Sequence, residues 1–107
     1  MENILCAANA VNMKFYFNEE KYGILPAEVK NQLKIICVLY CSDVGGMISF
    51  AFDENYKLRI TTMEPIDEIG AELKVKKIQA ENAELFEKLE EFADKIDKLN
   101  IDKEKRS

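Results

Sequence analysis

The chain has 107 residues, 48% of them apolar, and carries a net charge of −5 with no histidine. That length fits one small fold, and an acidic balance gives no attraction to phosphate backbones or anionic lipid, which argues against nucleic acid or a membrane as partner. The missing histidine removes the commonest general base and metal ligand at neutral pH.

The first strand is expected over Asn3 to Ala8 and the second over Met13-Lys14-Phe15-Tyr16-Phe17, which is aromatic-rich with Phe15 and Phe17 on one face. The two can pair as a hairpin across Asn9 and Asn12. Asn18 to Gly23 is polar and reads as a loop. The apolar start Ile4-Leu5-Cys6-Ala7-Ala8 is short and lacks a preceding basic cluster, so it does not read as a signal peptide. No run approaches the roughly 20 apolar residues that cross a bilayer. Three cysteines at uneven spacing make no disulfide framework, and a cytoplasmic location is expected.

Leu25-Pro26 opens a helix over about 26 to 43, with Pro26 suited to the first helical position. Val29, Leu33, Ile36 and Tyr40 recur at helical spacing, and no polar residue occurs from Ile35 to Cys41, so that half is expected to be buried nearly all round. Gly45-Gly46 supplies the left-handed conformation that ends it. Met47 to Met63 reads as a second hairpin: Ile48, Phe50 and Phe52 alternate with Ser49 and Ala51, and Leu58, Ile60 and Thr62 with Lys57, Arg59 and Thr61. Asp53-Glu54-Asn55 is the turn, with Asn55 expected at positive φ.

Pro65 and the N-cap residue Asp67 introduce a helix expected over about 67 to 100. Glu72–Lys76, Glu84–Lys88, Glu91–Lys95 and Asp94–Lys98 place acid before base at i, i+4. The basic ending Lys103, Lys105, Arg106 complements the negative end of a helix dipole. Val75, Asn82, Leu89 and Ile96 repeat every seven residues, with Ala71, Ile78, Leu85, Phe92 and Leu99 interleaved. These are the a and d positions of a heptad. The e positions Phe86 and Ala93 are apolar too, which widens the stripe beyond a strict dimer seam.

A straight helix of about 34 residues is roughly 50 Å long, whereas a compact body of residues 1–66 is only ~28 Å across. Its first turns are therefore expected to clamp onto the domain through a second stripe, Ile69, Leu73 and Ala80, while the rest projects and finds a second copy. Asn82 at an a position favours a parallel pair, because two amides can bond across the seam, and its replacement by Leu would then raise stability. The g positions Lys74, Lys88 and Lys95 face no acidic e residues, so an antiparallel pairing or a four-helix assembly stays open. Ile78, Asn82, Leu85, Leu89, Phe92 and Ile96 are the expected dimer interface.

Catalytic motifs are missing: there is no Gly-rich phosphate loop, nucleophile elbow or paired-cysteine knuckle. Cys37 and Cys41, at i, i+4, read as small apolar side chains of a buried helix, with no basic neighbour to lower a thiol pKa. No metal or cofactor is implied, and an enzyme is not expected. The polar hairpin face, Lys57, Arg59 and Thr61, is a candidate docking surface for a peptide or another protein.

The run Leu25-Pro26, Val29-Lys30, Leu33-Lys34-Ile35, Cys37-Val38-Leu39-Tyr40, Asp43-Val44-Gly45-Gly46, with Phe52-Asp53-Glu54 and Asp67-Glu68-Ile69-Gly70, resembles a family of short bacterial proteins of unknown function. That resemblance implies a coherent domain over residues 4 to about 90 and carries no activity or ligand. In element order alone the chain is similar to roadblock-type dimeric scaffold modules and small acidic secretion chaperones. The expected architecture is α+β: two hairpins form a four-stranded, mainly antiparallel sheet with one covering helix over residues 1–66. A long dimerisation helix follows over 67–101 and a charged tail over 102–107. The expected function is a cytoplasmic, homodimeric interaction or regulatory scaffold without catalytic activity. The alternative is a small-molecule or peptide-binding sensor, or a chaperone-like module, using the open sheet face.

Overall fold

The computed structural model describes the backbone of residues 3–106 and the side chains of residues 3–99. The expected dipole contacts of Lys103, Lys105 and Arg106 lie outside the described side chains. Two hairpins supply β1 (Asn3–Asn9), β2 (Lys14–Phe17), β3 (Met47–Phe52) and β4 (Leu58–Met63), which join in the order β2-β1-β3-β4 with every pairing antiparallel. The register stacks Cys6 beside Phe17 and Phe50, and Phe50 beside Ile60, so the apolar sets of all four strands share one face. A register shift between Ile4 and Cys6 lets the consecutive residues Leu5 and Cys6 both be buried.

The segment expected as a loop after β2 holds a single helical turn, α1 (Glu19–Tyr22). Asn18 caps it by accepting from the Lys21 N–H, acidic residues occupy its first turn, and Tyr22 is buried against the Phe52 ring at 5.5 Å. The next helix, α2 (Ala27–Val44), begins one residue later than expected, with Pro26 as its N-cap. Its inner face sets Leu33, Cys37, Tyr40 and Val44 on the sheet. The expectation of burial all round fails for Ile35, Val38 and Leu39, which are exposed, because only one side of α2 meets the sheet. Gly46, at φ 71°, ends the turn into β3; a Cβ there would run into the Met63 carbonyl oxygen.

In the β3–β4 turn Tyr56, not Asn55, takes positive φ (62°). The Asp53 carboxylate accepts from the Asn55 and Lys57 N–H groups, and Tyr56 N–H donates to the Asp53 carbonyl, a turn whose left-handed residue falls one place later.

The expected continuous helix from 67 is two helices, α3 (Glu68–Glu81) and α4 (Ala83–Arg106). Asn82 sits at the break with φ −119° and ψ 20°. Both its backbone N–H (3.0 Å) and its side-chain amide (2.9 Å) donate to the Ile78 carbonyl, so Asn82 closes the last turn of α3 with two bonds to one acceptor. The break lets α4 fold onto the sheet. Phe86 meets Phe50 edge-on, with ring centroids 5.6 Å apart, and Leu89, Ala93 and Ile96 are buried beyond it. Helix α4 thus joins α2 over the apolar sheet face, where one covering helix was expected. Of the four i, i+4 pairs, those at Lys76, Lys88 and Lys98 close within 4.0 Å, and all are exposed. Glu91–Lys95 does not close among the described residues.

Candidate functional site

Among the described residues, two faces, a groove and a smaller cleft are open. The first is the sheet face opposite the helices. Strand alternation puts Tyr16, Ala7, Ser49 and Thr61 on this side, with Ile4, Met47, Met63 and Arg59. Of the sequence-derived docking residues, Arg59 and Thr61 lie on this face and are exposed, and exposed Lys57 precedes β4. The Arg59 guanidinium donates from Nε to Asp53 Oδ2 at 3.0 Å. The Lys57 N–H bond, followed by those of Asn55 and Arg59, holds the Asp53 carboxyl below its usual range.

A second surface is the outer side of the helix layer. Helices α2 and α3 run antiparallel: Asp43 near the end of α2 pairs with Lys74 at 2.7 Å, and the Ile66 N–H donates to the Val44 carbonyl. Facing away from the sheet, Ile35 and Leu39 of α2 are 57% and 54% exposed, and Ile69 and Leu73 of α3 are 74% and 62% exposed. The stripe expected to clamp α3 onto the domain therefore points to solvent. The heptad seam has taken its place: Ile78, Leu89 and Ile96 are buried within this chain, and Leu85 and Phe92 are packed against the same core. Asn82 forms the helix break. Within one copy, then, five of the six expected interface residues pack on the chain's own core, three of them buried and two partly so, while half-buried Asn82 lies outside it. The e-position residues Phe86 and Ala93, buried on the sheet, are the signal that the stripe fits a flat surface.

The third surface is a groove of about 540 Å³ between the edge strand β4 and α3, with Ile60, Ala71 and Val75 among its lining. A smaller cleft of about 380 Å³ separates the β1–β2 turn from α2, where Met13, Val38 and Cys41 meet.

The chemistry-bearing side chains do not converge on these surfaces. Cys6 and Cys37 are fully buried with their Sγ atoms 3.9 Å apart, and all three cysteines are free. The hydrogen-bonded Cys37 thiol and burial push the Cys6 thiol far up, and burial raises Cys41, so neither presents a thiolate at neutral pH. Burial also raises Tyr40, whose hydroxyl lies in the core beside Thr62 and closes no hydrogen bond among the described residues. Among the described residues no group of three His, Cys, Asp or Glu side chains is placed to hold a metal ion. No described helix is long and apolar enough to cross a membrane.

A family model described as a family of unknown function, DUF6145, matches residues 2–98. The chain belongs to this family. The match spans both hairpins, α2, α3 and α4 through Lys98, so the family domain includes the helices beyond residue 66. No curated protein and no solved structure matches the chain.

Proposed function

We propose that this protein is a non-catalytic interaction module that pairs with a second copy of itself through the outward faces of α2 and α3. One observation carries the reading: two adjacent antiparallel helices each expose an i, i+4 pair of large aliphatic residues, Ile35 with Leu39 and Ile69 with Leu73. A helix face on a stand-alone domain is ordinarily polar there. An antiparallel helix pair is self-complementary under a two-fold axis, so two copies can form a four-helix contact with the same patch on both sides. The surrounding charges are of both signs, Lys34 and Lys77 with Glu72 and the Asp43–Lys74 pair, which avoids repulsion between copies.

Two helices about 10 Å wide that share about 20 Å of length present about 400 Å² of projected area per copy. With side-chain relief added, the contact lies at the low end of specific interfaces, so the dimer is a reversible one. A cytoplasmic setting fits this reading, since the three thiols are free. The raised thiols and the absence of histidine support a role without catalysis.

Sedimentation velocity over about 1–100 μM is the test. The expected outcome is a monomer–dimer shift that Leu39→Glu with Leu73→Glu abolishes while thermal stability holds. A chain that stays monomeric at the highest concentration ends the reading. A dimer that survives those changes but falls apart with Tyr16→Glu moves the contact to the open sheet face.

A further inference from the structure

β4 is the edge strand of the sheet, and its hydrogen-bonding side away from β3 is only partly occupied. The Asp53 N–H to Lys57 carbonyl bond sets the alternation, so Arg59, Thr61 and Met63 turn their peptide groups toward β3, while Leu58, Ile60 and Thr62 turn theirs outward. One of these outward groups is capped from within the chain: the Leu58 N–H donates to Glu90 Oε2 of α4 at 2.7 Å. Beyond that cap the Ile60 and Thr62 peptide groups face the groove, whose opposite wall is α3. Edge strands left open in this way are templates for an added strand.

The walls specify the chemistry of the added segment. Ile60, Ala71 and Val75 give an apolar floor between strand and helix, and the rim carries Glu64, Glu68 and Glu72 against one lysine, Lys76. Lys76 lies 3.8 Å from Glu72, and Glu64 and Glu68 make no ion pair among the described residues. An extended chain places alternate side chains on one side at about 7 Å spacing. A segment that sets an aliphatic residue on the floor therefore carries the residue two places along, on the side toward the start of α3, to the acidic rim.

We propose that the β4–α3 groove binds an extended peptide segment by strand addition, and that the segment carries Lys or Arg two residues from a central Val, Ile or Leu, on the side toward the start of α3. Its backbone pairs with Ile60 and Thr62, its aliphatic side chain lies over Ala71 and Val75, and its cation meets Glu64, Glu68 and Glu72. Glu90 stops the added strand at Leu58, and the turn at Glu64-Pro65 stops it at the other end, so the site takes a short segment. This surface is separate from the α2–α3 outer face, and binding does not depend on whether the chain dimerises.

The test uses the full chain and a fluorescein-labelled peptide Lys-Thr-Val-Thr-Lys, followed by anisotropy and by amide spectra of the ¹⁵N-labelled protein. Dissociation constants of about 100 μM are expected, with shifts centred on Ile60, Thr62 and the facing turns of α3. Glu68→Lys with Glu72→Lys should weaken binding about tenfold. A Glu-Thr-Val-Thr-Glu peptide, or the basic peptide N-methylated on alternate amides, should not bind at twenty times about that concentration. Both protein changes are at exposed positions, and the Leu39→Glu, Leu73→Glu variant should bind as the parent does, which separates this site from dimerisation. The proposal is overturned by absence of binding, by shifts on the open sheet face, or by equal binding of the N-methylated peptide, which would mean charge attraction without strand pairing.

Discussion

α3 and α4 come from one apolar repeat broken only at Asn82, yet they meet the rest of the molecule in opposite ways. α4 lays Phe86, Leu89, Ala93 and Ile96 on the sheet and fastens itself with carboxylates: Glu90 accepts from the Leu58 N–H, and Asp97 pairs with Lys21 at 2.8 Å. α3 buries Ala71 and Ile78 and half-buries Val75, leaves Ile69 and Leu73 in solvent, and is tied to α2 through Lys74 and Asp43. An apolar stripe states which side of a helix seeks cover. The polar side chains beside it decide what provides the cover, because each must find a backbone group or an opposite charge at one place in the fold.

Truncation at matched positions breaks this contrast if it is wrong. Leu89 is 3% exposed and packed among the sheet and α4 core residues, so Leu89→Ala should cost about 3 kcal/mol in a denaturant titration. Leu73→Ala removes the same atoms from a solvent-facing site and should change stability by less than about 0.5 kcal/mol, altering only association. Equal and small effects at both positions would mean that α4 leaves the sheet in solution.

The second measurement uses alkali. Tyr22 sits under α4 in contact with Phe52, and burial first, then the Asp97 charge, push its phenol up to about 12. A phenol raised from about 10 in the unfolded chain keeps its proton longer in the fold. Stability from this group is therefore fully present below pH 10 and is lost as pH rises from about 10 to 12. The expected loss is of order 2 kcal/mol, read as a falling denaturation midpoint, and Tyr22→Phe should flatten the slope. A slope that persists in the variant would assign the alkaline loss to another group.

Much of this arrangement is legible in the residues themselves. Both hairpins follow from period-two alternation, and the start and end of α2 follow from Pro26 and Gly45-Gly46, because these signals are local. The apolar content of the C-terminal repeat is equally plain, and every a and d residue from Ala71 to Ile96 except Asn82 is at least partly packed on the core. What a heptad does not encode is the partner. A straight rod longer than its domain must project, but the bend at Asn82 removes the premise, and that bend is held by contacts of α4 far along the chain, Phe86 on Phe50 and Glu90 on the Leu58 N–H. The β4–α3 groove was equally hidden, since strand order, and with it the identity of the edge, depends on pairings between residues more than thirty positions apart.

Asn82 is where the two helices part, and its replacement sharpens the comparison most finely. Within a two-stranded seam, Asn82→Leu would bury a further aliphatic side chain and raise stability. At the break, the same change removes the bond from the side-chain amide to the Ile78 carbonyl and places a branched chain at a half-buried turn. α4 is held on the sheet by Phe86, Glu90 and Asp97 whatever occupies position 82, so the bend persists and the lost bond is not recovered by straightening. Asn82→Leu should therefore lower stability by about 1 kcal/mol and leave the sedimentation coefficient at a given concentration unchanged. A rise in stability together with a larger particle would restore the seam as an interface between copies, and α4 would then have to detach from β4 to form it.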